Sequence, residues 1–446
     1  MGLDFTRPST EVFHLPSVHP GMHYIQSQPD PLLRKVPAAD LRIFAASDHD
    51  PILEMQQSAI DRQEQRLPRA AMEIASAPVV LQRAQFRPYF TTIAGRAWLN
   101  GASGDRLWHQ LDSHLRDDAA REALHDSFRH ARAADRAPAP VWPDDAGDLE
   151  IALGLMHGVG HERALSGMLS GLAHFAQDGS DQIINLHVPS GGFADELALF
   201  VEALFPQLAP RLRFRSAPRR YEAVRSVFSH RHYLYQAQDD GVDDSLQQAG
   251  WPMPGSAPQS RRQVAVASYD SGMRLARQAG LAQVSPELRA SMPSLVWIAP
   301  RGGDGALTGQ AALLEDLRQR GFAQLRPERL TPLQRIAAMQ TADIVVIPQG
   351  AAVSETFWLR PDALVIHLMA CQNLIQSAGD LLPLAHVAGC RFHVVFVDIA
   401  DVTTPDDMPR RAAQQHSLQI GRRATARVTQ MIDAELQGRQ RNTLYA

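Results

Sequence analysis

The chain has 446 residues, a formal net charge of −4 and 45% apolar residues. That length exceeds what one hydrophobic core usually serves, so two domains are expected. The slightly acidic balance gives nucleic acid no electrostatic footprint, and no run approaches the ~20 apolar residues of a membrane span.

The N-terminus "MGLDFTRPST" carries Asp4 and no apolar core, so a secretory signal is not expected, although Gly2 and Thr6 fit the short myristoylation pattern. Lys35 is the single lysine among the basic residues, and with abundant Ala and Pro this resembles the coding bias of a GC-rich bacterial genome. The two cysteines, Cys371 and Cys390, lie in apolar surroundings; they make neither a disulfide framework nor a zinc cluster, and a reducing cytoplasm fits them.

Residues 1–140 read as an N-terminal extension of mixed helix and irregular chain. Proline-rich extended pieces precede a helix near "ILEMQQSAIDRQEQRL", a strand at "APVVLQR" and further helix in "DRLWHQLDSHLRDDAAREALHDSFRHARA". The linker "ADRAPAPVWPDDAGD" follows. From about 150 to 240 the pattern alternates: helix "ERALSGMLSGLAHFA", strand "QIINLHV", turn "PSGG", helix "FADELALFVEALF". A second linker, "DDGVDDSLQQAGWPMPGSAPQS", marks the domain boundary.

Alternation is clearer between 262 and 400. A helix over roughly 261–280 leads to strand "SLVWIA", helix "GQAALLEDLRQRG", strand "AQLRP" and helix "TPLQRIAAMQTA". Strand "DIVVIP", helix "VSETFWL", strand "ALVIHL", a helical stretch and strand "RFHVVFVDI" complete the series. Continuously apolar strands between helices imply a parallel sheet covered on both faces. Thr331 and Pro332 have the residue types of an N-cap and first helical position. A terminal helix occupies 405–440.

In such a sheet, ligands bind where strands end and helices begin. Arg301, flanked by glycines after a strand, can grip two phosphate oxygens with its planar fork. In "PQGAAVSE", Gly350, Ala351 and the amides that follow open a helix and can hold an anion, with Ser354 or Glu355 facing the ligand. His157 and His161, four apart, have the spacing of metal ligands, but no HExxH pattern is completed and no metal site is expected. The acid clusters at 239–244 and at Asp144 and Asp145 read as solvated linkers. The Arg-dense "RLRFRSAPRRYEAVRS" reads as a solvated face, with a phosphorylated acceptor or a peripheral contact on an anionic membrane surface as its functional uses.

The ordered series from about 294 to 398, "VWIAPRGG … TADIVVIPQGAAVSETFWLRPDALVIHL … RFHVVFVD", resembles the C-terminal half of the family 61 glycosyltransferases. These include bacterial capsular-polysaccharide enzymes, plant xylosyltransferases and extracellular O-GlcNAc transferases. "GHERALSGMLSGL" resembles the family's "HWLLExLPRL" helix. The resemblance implies an α/β fold of GT-B type, two Rossmann-like domains facing a cleft. It also implies an inverting transfer from a nucleotide sugar to a hydroxyl of a glycan or other acceptor, with no Asp-x-Asp metal site and no cofactor. On it, Arg301, Gln349, Gly350, Ala351, Ser354, Glu355 and His367 bind the donor, and His161 or Glu162 is the base. Four positions depart from the family pattern: Leu165 stands in place of the acid of its N-terminal helix, Gln349 replaces its His, Glu355 its Asn and His367 its Glu. A neutral imidazole can still accept a hydrogen bond, as that carboxylate would. The rival readings are a catalytically silent binding protein of the same fold and an unrelated nucleotide-binding enzyme.

Overall fold

The structure is a computed structural model describing residues 13–14, 16, 19–25, 33–64, 71–88, 90–100, 143–155, 161–231, 268–300, 307–408 and 417–445. It is a mixed α/β protein of two compact units. One draws on Met1–Val36, Met72–Val264 and Ser268–Gln283, the other on Pro37–Ala71, Ala265–Ala267 and Val284–Ala446. Among the described residues no helix is long and apolar enough to cross a membrane.

The second unit is built on a six-stranded parallel sheet. Its order is Ala323–Leu325, Leu295–Ile298, Ile344–Pro348, Leu364–Met369, Arg391–Phe396 and Asp40–Ala45. The three strands expected to share a sheet, near 295, 344 and 364, are neighbours in it. Their apolar runs are buried on both faces: Val345, Val346, Ile366, Val394 and Val395 have no exposed surface. Full burial of each such side chain is worth about 1.5–3 kcal/mol. The helix Pro332–Thr341 begins at a complete capping box, Thr331 accepting from the Gln334 amide and the Gln334 side chain from that of Thr331.

The edge strand Asp40–Ala45 comes from the stretch read as an N-terminal extension. It pairs in register with Arg391–Phe396, and the helix Asp50–Glu64 follows it. The terminal helix is Arg422–Tyr445, starting later than the expected 405. Its start is set from a distance. The Asp48 carboxylate accepts from the Arg422 and Arg423 amides, each at 2.8 Å, and so caps a helix 374 residues further along the chain. Gly421 leaves room for this: a Cβ there would lie 2.4 Å from Asp48 Oδ2.

The first unit carries a nine-stranded mixed sheet. Ile151–Gly154, Ile184–His187 and Leu212–Arg215 run parallel, joined through the helices His161–Ala173 and Gly192–Leu204. Its other half is largely antiparallel, and the long pair Ser76–Phe86 and Arg219–Ser229 joins the two halves. The expected helix over 261–280 is Ser271–Ala282, after the strand Ser268–Asp270, and both belong to this unit.

Burial pushes the Asp48 carboxyl up, but the two amide hydrogen bonds and the charges of Arg422 and Arg423 outweigh it and hold the group below the ordinary carboxylate range. A depressed acid stabilises the fold above its unfolded pKa and loses that contribution as pH falls through its folded pKa. Asp48→Ala should therefore cost about 1 kcal/mol near neutral pH. The deficit should shrink towards about pH 3, below the ordinary Asp value. Urea unfolding of both proteins at the two pH values measures it.

Candidate functional site at the carboxyl edge of the parallel sheet

The strand Ile344–Pro348 ends against its neighbour. Pro348 pairs with Leu368, and the Gln349 amide donates to the Leu368 carbonyl at 2.7 Å. The Gln349 side chain then accepts from the Ala370 amide at 3.1 Å, tying two adjacent strand ends together. Holding Oε1 there leaves its NH₂ group to donate elsewhere. Gly350 is exposed with φ 83°, a left-handed conformation that favours glycine and allows close approach of backbone to a ligand. Ala351 and Ser354 are buried behind it.

The helix expected after Gly350 is instead a six-residue 3₁₀ turn, Val353–Trp358. The Ala351 amide donates to Pro348, the Val353 amide to Ala351 and the Glu355 amide to Ala352. With those donors committed inside the turn, the sequence expectation of an anion held at an α-helix N-terminus is corrected: no such terminus forms here. The reason is burial. Every residue from Val353 to Trp358 is buried, and the segment folds inward in a tight turn.

Glu355 moves with it. It was expected to face a ligand, but it is 1% exposed and ion-paired with buried Arg335, whose Nε donates to Oε1 at 2.9 Å. Sequence reading did not single out Arg335, because its spacing from Glu355 means nothing until a strand separates helix from turn.

His367 is buried in the strand Leu364–Met369. Its Nδ1–H donates to the Ile347 carbonyl at 3.0 Å, which leaves Nε2 as an acceptor. Burial lowers its pKa to about 4 against the raising effect of that hydrogen bond, so the ring is neutral. Gln349, Gly350, Ala351, Ser354, Glu355 and His367 therefore share one region of the second unit. Arg301 and His157 lie outside the described residues. The backbone of His161 and Glu162 opens the helix His161–Ala173, and their side chains lie outside the described set. Among the described residues no group of three or more His, Cys, Asp or Glu side chains converges.

The first unit holds a polar cluster with no local signature beyond the N-cap sequence Asp270-Ser271-Gly272. Asp270 Oδ1 accepts from the Ser76 hydroxyl at 2.6 Å and from the Gly272 amide at 2.8 Å. With the Ser76 proton given to Asp270, His174 Nε2, 2.7 Å from Ser76 Oγ, is the donor of that pair. Burial lowers the His174 pKa, and the Asp270 charge opposes it. Ser76, Asn100, Ser170, Ser229 and Asp270 line a small cavity, and Asp270 Oδ2 has no partner among the described residues. Some 194 residues separate Ser76 from Asp270, so periodicity could not join them.

The Arg-dense stretch is a solvated face only in part. Arg225 is 5% exposed and bonds Asp178 and Ser180, while Arg215 and Arg219 both donate to Asn185 Oδ1. Arg213 and Arg220 are the exposed members among these.

A family model described as Glycosyltransferase 61 matches residues 138–366, more than half of the chain. The protein is thus an enzyme of the glycosyltransferase class, which works between a sugar donor and an acceptor. It belongs to glycosyltransferase family 61. The matched span includes residues 349–355 and stops one residue short of His367. Among curated proteins none matches the chain.

His367 supplies a test by pH. Its folded pKa of about 4 lies below the ordinary histidine value of 6.5, so the unfolded chain binds the extra proton between those values. Stability is therefore full above that window and falls as pH drops through it. His367→Asn keeps a donor for Ile347 but does not titrate. Its stability should fall less steeply from about pH 6.5 to about pH 4 than that of the wild type. Some slope should persist, because His14, His187 and His393 are also lowered to about 4. Denaturant unfolding across the window measures the slopes.

Proposed function

We propose that this glycosyltransferase inverts the anomeric centre, moving a sugar from a nucleotide sugar to a hydroxyl of a glycan or other acceptor without a metal or other cofactor. A GT-B architecture, a cytoplasmic setting and a role in bacterial surface-polysaccharide synthesis belong to the same proposal. The observation that carries it is the tied strand ends at Gln349 and Ala370, with exposed Gly350 between a parallel strand and a buried turn. The carboxyl edge of a parallel sheet is where α/β proteins hold nucleotides.

In this reading the donor diphosphate approaches the backbone at Gly350. The Gln349 amide group donates to it, and Arg301 bridges two of its oxygens. The neutral His367 imidazole accepts from a sugar or ribose hydroxyl. The acceptor hydroxyl gives its proton to Glu162 or His161 and its oxygen attacks the anomeric carbon. The bond from that carbon to the diphosphate breaks, and the charge gained by the leaving group is met by Arg301 and Gln349. Gln349 is uncharged, so Arg301 carries most of that stabilisation.

A thermal-shift screen with UDP, GDP, CDP and ADP and their sugars should find one nucleotide that raises the melting temperature, since binding to the folded state alone stabilises it. By calorimetry, Arg301→Lys should weaken that nucleotide by about 1.5–3 kcal/mol, the worth of a charged hydrogen bond. That is roughly ten- to hundredfold in affinity. Gly350→Val should weaken it further. Equal affinities in all three proteins would move the donor away from these strand ends.

Transfer should also persist in excess EDTA. Complete loss, restored by Mn²⁺ or Mg²⁺, would show that the reaction needs a metal.

A further inference from the structure

We propose that Arg335 is a positioning residue for the donor site, acting through Glu355 on the conformation of the 349–352 turn. This inference rests on the donor-site reading above. Both side chains are buried: Arg335 is 6% exposed and Glu355 1%. The Nε and Nη2 of Arg335 both point at one oxygen, Glu355 Oε1. Glu355 Oε2 has no partner among the described residues. A buried pair of this kind is expensive, because two charges leave water and one lone-pair set goes unsatisfied. Apolar residues of similar volume would fill the space at no such cost. What the ion pair adds is direction.

That direction is transmitted along a short path. The helix Pro332–Thr341 is fixed at its start by the Thr331 capping box. The same helix holds the buried turn at two points and the chain just past it at a third: Arg335 takes Glu355, the Gln340 side chain donates to the Trp358 carbonyl, and the Met339 carbonyl accepts from the Arg360 amide at 3.3 Å. Upstream, Pro348 is fixed by strand pairing and Gln349 by its bonds to Leu368 and Ala370. Between these anchors lie Gly350, Ala351 and Ala352, the segment with the left-handed residue. Its shape is set by where Glu355 is pulled. The Arg fork fixes that point by two convergent N–H groups on a single atom, and the point charge of Lys cannot reproduce the geometry.

The test separates positioning from plain stability. Breaking one half of a buried pair can unfold a domain, so the double variant Arg335→Met/Glu355→Leu carries the experiment, with Arg335→Lys beside it. Melting temperature, UDP affinity by calorimetry and hydrogen exchange of a peptide covering 349–358 are measured on each. UDP is replaced by whichever nucleoside diphosphate the screen selects. The double variant should melt close to the wild type yet bind the nucleotide on the order of tenfold more weakly, which is about 1.4 kcal/mol. Amides of 349–352 should exchange faster while those of the strand Leu364–Met369 do not. A double variant with wild-type affinity and wild-type exchange overturns the inference and leaves the donor site standing. Wild-type protein that binds no nucleotide overturns the donor-site reading, and this inference with it.

Discussion

In the second unit the parallel register running from Ile344↔Leu364 to Pro348↔Leu368 determines where everything else goes. Parallel pairing brings all carboxyl ends to one edge, and a one-residue slip would exchange the side-chain sets packed against the two buried faces. Because Pro348 and Leu368 are opposite one another, Gln349 and Ala370 come within hydrogen-bond distance, and the chain must leave the sheet between them. Gly350 then takes the left-handed turn that departure requires. The Gln349–Ala370 tie, the exposed glycine and the buried 3₁₀ segment are consequences of one register.

Charge inside this unit is handled in pairs and caps. Arg335 meets Glu355, Asp48 meets the first amides of the terminal helix, and Asp398 takes the Ser47 hydroxyl and the Asp48 amide, the latter at 2.9 Å. The buried Glu355 and Asp398 carboxylates thereby gain partners that burial would otherwise deny them, and each contact joins separate elements of the chain. Asp48 sits just past the edge strand at 40–45, so the same loop that completes the sheet also starts the last helix.

The first unit solves a different problem. Its parallel strands supply crossovers through two helices, while the antiparallel strands around 76–86 and 219–229 pack an apolar core of Val79, Leu81, Phe86 and Phe228. Arginine there is structural as much as superficial: Asp178 and Ser180 hold Arg211 and Arg225, and Asn185 holds Arg215 and Arg219. Membership of glycosyltransferase family 61 spans parts of both units, from residue 138 to 366.

Sequence by itself determined whatever depends on near neighbours. Continuously apolar runs located the three buried strands near 295, 344 and 364, while residue types marked the Thr331 cap of the helix at 332–341 and the turn at Gln349-Gly350. Motif order carried the family. What only the tertiary structure decided is whatever depends on partners distant in the chain. The strand at 40–45 falls in the stretch read as an N-terminal extension, and only pairing with 391–396 makes it part of the sheet. Glu355 looks like a ligand-facing acid until a helix 20 residues earlier brings Arg335 to it. Asp270 and Ser76 are ordinary N-cap and strand residues until folding joins them. Local patterns record the entropy and burial of adjacent residues, whereas a long-range hydrogen bond leaves no mark in either segment because each half is satisfied only by the other.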